Sequence, residues 1–293
     1  MTVTSVSRGR AGYPPLLAEL YDPPARLYVR GESAAVLERD SVAIVGARSC
    51  SSYGAQVARM LARELAAAGL VVVSGLARGI DGEAHRGALA GGGLTVAVLG
   101  CGIDRDYPRA HAELARRITS SGAVVSEYPP GVEPAPWQFP ARNRIIAGLT
   151  RATVVVEARR RSGALITADF ALELGREVFA VPGEITSGLS AGTNDLIRQG
   201  ATPLLAPDDV LEALGLERAP PTVPATLSAE ARAVLVRLAD GARSPDELVR
   251  ETSLSSPSVA VAITELELAA LVVPGEGVYR VASEGRVPLD PSA

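Results

Sequence analysis

Arginine and aromatic side chains stand close together in the stretch FPARNRIIAGLT, residues 139–150. Phe139 opens this stretch, and Arg142, Asn143 and Arg144 follow it. A guanidinium group is a planar fork that donates to phosphate oxygens, and an aromatic ring stacks on the face of a nucleobase. The combination therefore predicts contact with single-stranded nucleic acid, in which the bases are free to stack.

Two glycine-rich loops are candidates for an anion site. In VGARSCSSYG (45–54), Arg48 projects from the loop and either Ser51 or Ser52 caps the next helix. In SGLARGIDGEAH (74–85), glycines surround a further arginine. The start of a helix offers free backbone N–H groups and a partial positive charge, and both attract anions. We therefore expect phosphate to bind beside these loops.

Other chemistries lack the residues that they need. The phosphate loop of nucleoside triphosphatases requires a lysine, and all 29 basic residues of this chain are arginines. The dinucleotide fingerprint GxGxxG does not follow the first apolar run. His85 and His111 belong to no metal-ligand spacing, and Ser74 with His85 lacks a third member of a catalytic triad. We therefore expect no catalytic residue, no cofactor and no metal site.

Length and charge fit a cytoplasmic protein. The 293 residues are 47% hydrophobic and carry a net charge of −4. Residues 226–293 hold 6 arginines and 10 acidic residues, so residues 1–225 are neutral overall and basic only locally. No apolar run approaches the roughly 20 residues of a membrane span, and the N-terminus lacks the apolar centre of a signal peptide. Cys50 and Cys101 lie far apart, as expected for reduced thiols.

The elements that position the candidate residues are predicted by short apolar runs separated by helical patterns. Runs without alternation between helices are typical of a parallel sheet covered on both faces. We therefore predict a doubly wound, mostly parallel α/β sheet over residues 41–214, which binds its ligand past the carboxyl ends of the strands. The runs are VAIV (42–45), LVVV (70–73), VAVL (96–99), AVV (123–125), VVV (154–156) and VFAV (178–181).

A smaller second domain follows a proline-rich linker, residues 215–227. Three helical patterns, each preceded by a serine cap, lead to an apolar hairpin, and this order predicts a winged-helix domain over 228–284 and a tail over 285–293. The third helix has no arginine and carries Glu265 and Glu267, which phosphate would repel. We therefore expect this domain to contact protein or to regulate, rather than to bind DNA.

Taken together, the motifs resemble the DNA-processing protein A family, also called DprA or Smf. The resemblance runs from about Gly12 to the C-terminus and depends on many motifs in a fixed order. They are GYPPLLAELYDPPARLYVRG (12–31), VGARSCSSYG, SGLARGIDGEAH, AVLGCGIDRDYP (97–108), SEYPPG, FPARNRIIAGLT, VVVEARRRSGALITADFALELGREVFAVPGEI (154–185) and GTNDLIRQGA (192–201).

The resemblance implies an extended Rossmann-like domain that binds single-stranded DNA without sequence preference. It also implies that the protein protects incoming single strands, loads RecA recombinase on them during natural transformation and DNA recombination, and forms a homodimer through this domain. Single-strand-binding protein is a further candidate partner. Family members often carry a sterile-alpha-motif-type domain before the GYPP segment. Here we expect that domain to be absent or truncated, with residues 1–40 forming an extension that packs on the core.

The family's motifs also indicate DNA-binding residues. The arginine of the G-x-R loop helps form a phosphate pocket, and the SGLARGID and FPxRNR segments border it. Some members use a lysine just upstream of FPxRNR, for which Arg159–Arg161 are candidate substitutes here. With the helix cap and the SGALIT segment added, the predicted set is Arg48, Ser51, Gly75, Ala77, Gly79, Phe139, Arg142, Asn143, Arg144, Ser162 and Thr167.

One enzyme class stays as an alternative. The segment AVPGEITSGLSAGTNDLI (180–197) is similar to the PGGxGT segment with which Rossmann-like nucleotide phosphoribohydrolases hold phosphate. The paired glycines and the accompanying catalytic arginine and glutamate are not matched. The sequence therefore favours a DNA-binding protein that is not an enzyme, with a nucleotide-processing enzyme as the second hypothesis.

Overall fold

The computed structural model describes residues 3–31, 33–216, 227–269, 271–275 and 277–281. The chain divides into two compact units, Met1–Glu217 and Arg218–Ala293. The predicted linker, 215–227, and the predicted tail, 285–293, lie largely or wholly outside the described residues. In the described ranges, no helix has the length and apolar character needed to cross a membrane.

A nine-stranded sheet forms the centre of the first unit. Its order is β1-β2-β6-β5-β4-β3-β7-β8-β9. The seven strands from β6 to β9 in this order pair in parallel with their neighbours. β2 runs antiparallel to β6, and β1 runs antiparallel to β2. The strands are β1 (Val3–Ser7), β2 (Arg26–Gly31), β3 (Ser41–Val45), β4 (Val71–Ser74), β5 (Thr95–Val98), β6 (Ala123–Ser126), β7 (Ala152–Val155), β8 (Glu177–Ala180) and β9 (Thr202–Pro203).

Helices cover both faces of this sheet, because side chains alternate along each strand. Val42 and Ile44 pack against α2, α3 and α8 on one face, while Ala43 and Val45 pack against α1, α5 and α6 on the other. The predicted doubly wound fold is thereby confirmed. The helices are α1 (Pro15–Ala18), α2 (Ser52–Ala67), α3 (Ile80–Ala90), α4 (Ala112–Thr119), α5 (Gln138–Leu149), α6 (Gly163–Glu173), α7 (Ala191–Arg198) and α8 (Pro207–Ala213).

The N-terminal residues contribute more than the expected packing layer. β1 and β2 lengthen the sheet by two antiparallel strands, which the short, partly polar segments VTSVS and RLYVRG did not predict. Between them, the side chains of Leu17 and Leu20 lie against Gly148 of α5, where a Cβ atom would come within about 3 Å of them. The extension therefore fixes the helix that carries the FPxRNR motif.

The sheet changes winding direction between β3 and β7. From β3 the chain proceeds outward through β4, β5 and β6, and from β7 it proceeds to the other edge. Backbone hydrogen bonds continue past the strand ends, from the Val156 amide to the Val45 carbonyl at 3.0 Å and from the Ala47 amide to the Glu157 carbonyl at 2.7 Å. A crevice at such a switch point is where open α/β sheets bind ligands.

The second unit contains the predicted winged helix. Its described elements are α9 (Ala229–Ala239), α10 (Pro245–Thr252), α11 (Ser256–Leu268), β10 (Val272–Gly275) and β11 (Val278–Val281). Serine caps each helix, at Ser228, Ser244 and Ser255. Glu265 of α11 accepts hydrogen bonds from the Ser228 amide at 2.8 Å and the Ser228 hydroxyl at 2.6 Å. This carboxylate therefore fixes α11 to the start of α9, and Glu267 stays exposed.

Candidate nucleic-acid interface

Arg48 stands at the crevice with its guanidinium group available. It follows β3 and is exposed to solvent. In the part of the chain that the structure describes, no carboxylate pairs with it. Its guanidinium carbon lies 5.4 Å from the centre of the Phe139 ring, in a cation–π contact. The charge of Arg48 is thus held in place by an aromatic ring and is not neutralised by an acid.

A cavity of about 250 Å³, called the first cavity below, opens beside Arg48. The loops after β3 and β4 and the first turns of α5 and α6 form its walls. Asp81 is the acidic residue in the lining. The cavity brings together seven of the predicted residues, namely Arg48, Ala77, Phe139, Arg142, Asn143, Ser162 and Thr167.

Arg142 forms the rear wall and is buried, with 4% of its surface exposed. Its guanidinium donates to the carbonyl oxygens of Gly75, just past β4, and Val98, the last residue of β5. Its Nε donates to Asn143 Oδ1 at 3.1 Å. Asp81 Oδ2 lies 3.7 Å from Arg142 Nη2. Burial lowers the Arg142 pKa and raises the Asp81 pKa, and each charge opposes the shift of the other. Arg142 is therefore a fixed internal cation facing the cavity.

The start of α6 closes the opposite side of the first cavity. Ser162 caps this helix by accepting from the Ala164 amide at 3.3 Å, and Asn143 Nδ2 donates to the Gly163 carbonyl at 2.9 Å. Gly163 is exposed, and a Cβ atom there would meet nothing within 4 Å. The positive end of α6 is thus open to the cavity and able to hold an anion.

Arg144 does not join this site, contrary to the expectation that it lies beside Arg142. It donates through both terminal nitrogens to Glu127, at 2.9 and 2.7 Å, and lies 3.8 Å from Asp22. Arg144 does not line the first cavity. The physical reason is helical geometry, since residues two apart point about 200° from each other around the axis.

Ser51 is also engaged within the protein, and its assignment to DNA binding stays a prediction. It caps α2 by accepting from the Gly54 amide at 3.0 Å. Its own amide and hydroxyl donate to the buried Glu157 carboxylate, at 2.9 and 2.5 Å. Glu157 follows β7, so the neighbouring strand supplies an internal anion to the N-terminus of α2. A phosphate would have to displace this carboxylate.

Two of the predicted glycines act through the space that they leave free. Gly79 has φ of +73°, and a Cβ atom there would overlap the backbone of the loop after β3 at Ala47. A Cβ atom at Gly75 would overlap the guanidinium of Arg142. Gly79 therefore lets the loops after β3 and β4 touch, and Gly75 makes room for the buried cation.

A second cavity, of about 380 Å³, shares Arg48, Ala77, Phe139 and Arg142 with the first. Its other lining residues include Gly75, from the predicted set, and two residues outside that set, Arg78 and Tyr107. Both belong to loops after neighbouring strands, β4 and β5, which is the signal that could have identified them.

The segment considered for phosphoribohydrolase activity, residues 180–197, is occupied by hydrogen bonds within the protein. The Gly192 amide, in the first turn of α7, donates to the Ala158 carbonyl at 2.7 Å. The Asn194 side chain bonds both the amide and the carbonyl of Gly183, at 3.2 and 3.0 Å. These contacts occupy groups that would otherwise meet a phosphate. In the described ranges, no three His, Cys, Asp or Glu side chains are grouped as metal ligands would be.

Known proteins share this architecture. Residues 4–215 match the family described as DNA recombination-mediator protein A, and residues 218–277 match the DprA winged helix domain. Protein Smf of Escherichia coli is 41% identical over 278 residues, which cover 91% of this chain and 74% of that protein.

Solved structures agree with the sequence matches. The X-ray structure of DNA processing protein A from Streptococcus pneumoniae has a TM-score of 0.69 and 46% identity, covering 73% of this chain and 74% of that one. The structure of DNA processing protein A from Helicobacter pylori has a TM-score of 0.66 and 30% identity, covering 72% of this chain and 95% of that one. It is described as giving insights into the unique single-stranded DNA binding mode of that protein. The resemblance inferred from the motifs is thus confirmed, and the chain belongs to the DNA recombination-mediator protein A (DprA/Smf) family.

Proposed function

We propose that this protein binds single-stranded DNA without sequence preference and holds a backbone phosphate in the first cavity. The observation that carries the proposal is the position of Arg48, an exposed cation with no salt-bridge partner among the described residues, across from the open N-terminus of α6. The buried guanidinium of Arg142 backs the same space. Guanidinium groups and helix N-termini are both strong phosphate binders.

The dimensions of the cavity support a phosphate as the ligand. At about 250 Å³ the first cavity is smaller than the usual range of roughly 300–1,000 Å³ for small-molecule sites. Contacts to phosphate fix the position of a strand and carry no information about its bases. Binding through this site would therefore be independent of sequence, and the relative from Helicobacter pylori is described as binding single strands.

Family membership supports the steps that follow DNA binding. We infer that the protein protects incoming single strands, loads RecA recombinase on them in natural transformation and DNA recombination, and acts in the cytoplasm by binding rather than by catalysis. Single-strand-binding protein is a candidate partner in the same exchange. The test is RecA filament assembly on single strands coated with single-strand-binding protein. The wild type should accelerate assembly, and the absence of any acceleration would contradict this role.

A homodimer formed through the Rossmann-like unit would bring two first cavities to one strand. Linked sites raise the apparent affinity through effective concentration, without any new contact. The exposed Leu172 on α6 supports this helix as part of the interface. Sedimentation velocity at a protein concentration of about 1 μM should show a dimer. Observation of the monomer alone would contradict this part of the proposal.

The DNA site itself is tested by fluorescence anisotropy with a labelled oligothymidylate and a duplex of equal length. Arg48→Ala should weaken single-strand binding about 10- to 100-fold, because a hydrogen bond to a charged group is worth about 1.5–3 kcal/mol. The slope of log affinity against log salt should become shallower by about 0.7 for each phosphate that the variant no longer binds.

Arg117→Ala is the matched control. Arg117 is an exposed arginine of α4 that lines neither cavity, so its removal should change the affinity little. An Arg48→Ala variant that binds like the wild type, or an Arg117→Ala variant that loses as much affinity, would overturn the site assignment.

A further inference from the structure

The second cavity has the features of a nucleoside site. Its volume of about 380 Å³ lies within the range of small-molecule sites. The side chains that line it carry cations, hydroxyl groups and aromatic rings, and its lining includes no carboxylate and no amide side chain in the described part of the chain. Arg78 on its rim is exposed, and no acid among the described residues pairs with it.

Phe139 is already engaged within the protein. Arg48 lies over its ring at 5.4 Å, and the Tyr107 ring lies 5.3 Å away at an interplanar angle of 34°. Tyr107, in contrast, is 43% exposed. Tyr107 is therefore the more exposed of the two rings that line the second cavity, and Phe139, which the motif alone indicated, is half-buried.

The two cavities are adjacent, because Arg48, Phe139 and Arg142 line both. A ligand that fills the first cavity therefore touches the same side chains as a ligand in the second. In a polynucleotide, a phosphate is directly followed by a sugar and its base, and then by the next phosphate. The arrangement of one anion cavity beside one aromatic cavity matches this order.

We propose that the second cavity is a nucleoside subsite, in which one base of the bound strand stacks on Tyr107 and the next phosphate meets Arg78. This inference rests on the proposed single-strand binding through the first cavity. Stacking tolerates every base, since each has a π face. The lining side chains include no carboxylate and no amide, which are the groups that recognise the donors of cytosine and adenine.

The experiment combines protein variants with modified DNA. Tyr107→Ala should weaken binding of an oligothymidylate about 5- to 100-fold, the range expected when one base stack is removed, whereas Tyr107→Phe should bind like the wild type. The DNA counterpart is a set of oligonucleotides with one abasic residue at successive positions. Removal of the stacked base should weaken the wild type by a similar factor and leave Tyr107→Ala unaffected.

A second readout is the emission of 2-aminopurine at the same DNA position. Stacking should quench it in the wild type and in Tyr107→Phe, but not in Tyr107→Ala. Tyr53→Ala is the matched control, since Tyr53 is 52% exposed and lines neither cavity. It should bind and quench like the wild type.

The two proposals fail in different ways. If Arg48→Ala binds normally, the first cavity is not the DNA site. If Arg48→Ala loses affinity while Tyr107→Ala does not, only the subsite is wrong. A Tyr107→Ala variant that is weakened equally for intact DNA and for abasic DNA at all positions would overturn the subsite, because the ring would then act by supporting Phe139 and not by stacking on a base.

Discussion

The helices α2 and α6 start at the same end of the sheet and have the same kind of cap, yet only one start is open to a ligand. Ser51 caps α2 and Ser162 caps α6. At α2, the Glu157 carboxylate already accepts from the first free donors. At α6, the first turn faces a cavity with Arg48 and Arg142 across it. A helix N-terminus therefore offers an anion site only where the fold has not supplied its own anion.

The two arginines of the FPxRNR motif show the same contrast. Arg142 donates its hydrogen bonds to backbone carbonyl groups, has the Asp81 carboxylate 3.7 Å from one terminal nitrogen, and lines the first cavity. Arg144 is matched by the carboxylate of Glu127. A cation that hydrogen-bonds to neutral carbonyl groups still attracts an anion, whereas one paired with a carboxylate is largely neutralised.

Replacement of the internal anion gives the largest expected effect. Glu157→Gln removes a buried charge that accepts two hydrogen bonds from Ser51, and it should lower the free energy of unfolding by about 1.5–3 kcal/mol. Urea denaturation followed by fluorescence measures this in the first unit, because the chain's single tryptophan, Trp137, lies there. Single-strand affinity should stay within about threefold of the wild type. A large loss of DNA binding with unchanged stability would show that α2 is the ligand site.

The two caps allow a matched pair of substitutions with a smaller effect. Ser51→Ala and Ser162→Ala should each cost about 1 kcal/mol of stability, as removal of a serine cap usually does. Only Ser162→Ala should also weaken single-strand binding, by up to about 10-fold for one missing hydrogen bond, because only Ser162 lines the first cavity. If the two variants bind single strands with equal affinity, the N-terminus of α6 is not a DNA contact that the N-terminus of α2 lacks.

The smallest expected effect concerns Asp81, the carboxylate beside Arg142 in the first cavity. Burial raises its pKa above the ordinary value of 3.8. Its contribution to the free energy of unfolding is therefore complete below pH 3.8 and is lost as the pH rises through the raised pKa of the folded state. Protonation also removes a negative charge from the lining, so DNA affinity should rise as the pH falls toward this pKa.

The measurement compares the wild type with Asp81→Asn from neutral pH downward, over the range in which both proteins stay folded. The isosteric variant should bind about three- to fivefold more tightly at the upper end, since a screened charge at this range is worth up to about 1 kcal/mol. It should also lack the pH-dependent rise of the wild type. Parallel curves for the two proteins would show that Asp81 does not act on the bound anion.

Much of the fold was visible in the sequence. The runs at 42–45 and 154–156 are apolar without alternation, and such runs become central strands wherever helices lie between them. The serine caps of the winged helix were predictable for a similar reason, because a cap acts on the backbone next to it. The antiparallel strands β1 and β2 were missed. β2 pairs with β6, which lies about 100 residues further along the chain, and β1 is a short, partly polar segment that pairs with β2 alone.

The candidate site was predictable as a set of loops but not as a set of side chains. Arg48 and Arg142 were expected together and line one cavity. Arg78 and Tyr107 share the second cavity, although they lie on loops whose proximity depends on the strand order. Arg144 was assigned from the family's FPxRNR motif and Ser51 from the expected helix cap, and each hydrogen-bonds to an acid from a different loop.

By itself, the sequence determined the family, the layered α/β unit, the winged helix and the strand-end loops that carry the arginines, because propensity, periodicity and capping act between residues close along the chain. Only the tertiary structure decided which charges are free. Glu157 and Glu127 reach their partners across gaps of 106 and 17 residues, and the carbonyl groups that hold Arg142 come from two separate strands. Neutralisation depends on distance in space, which the strand order sets and no local pattern records.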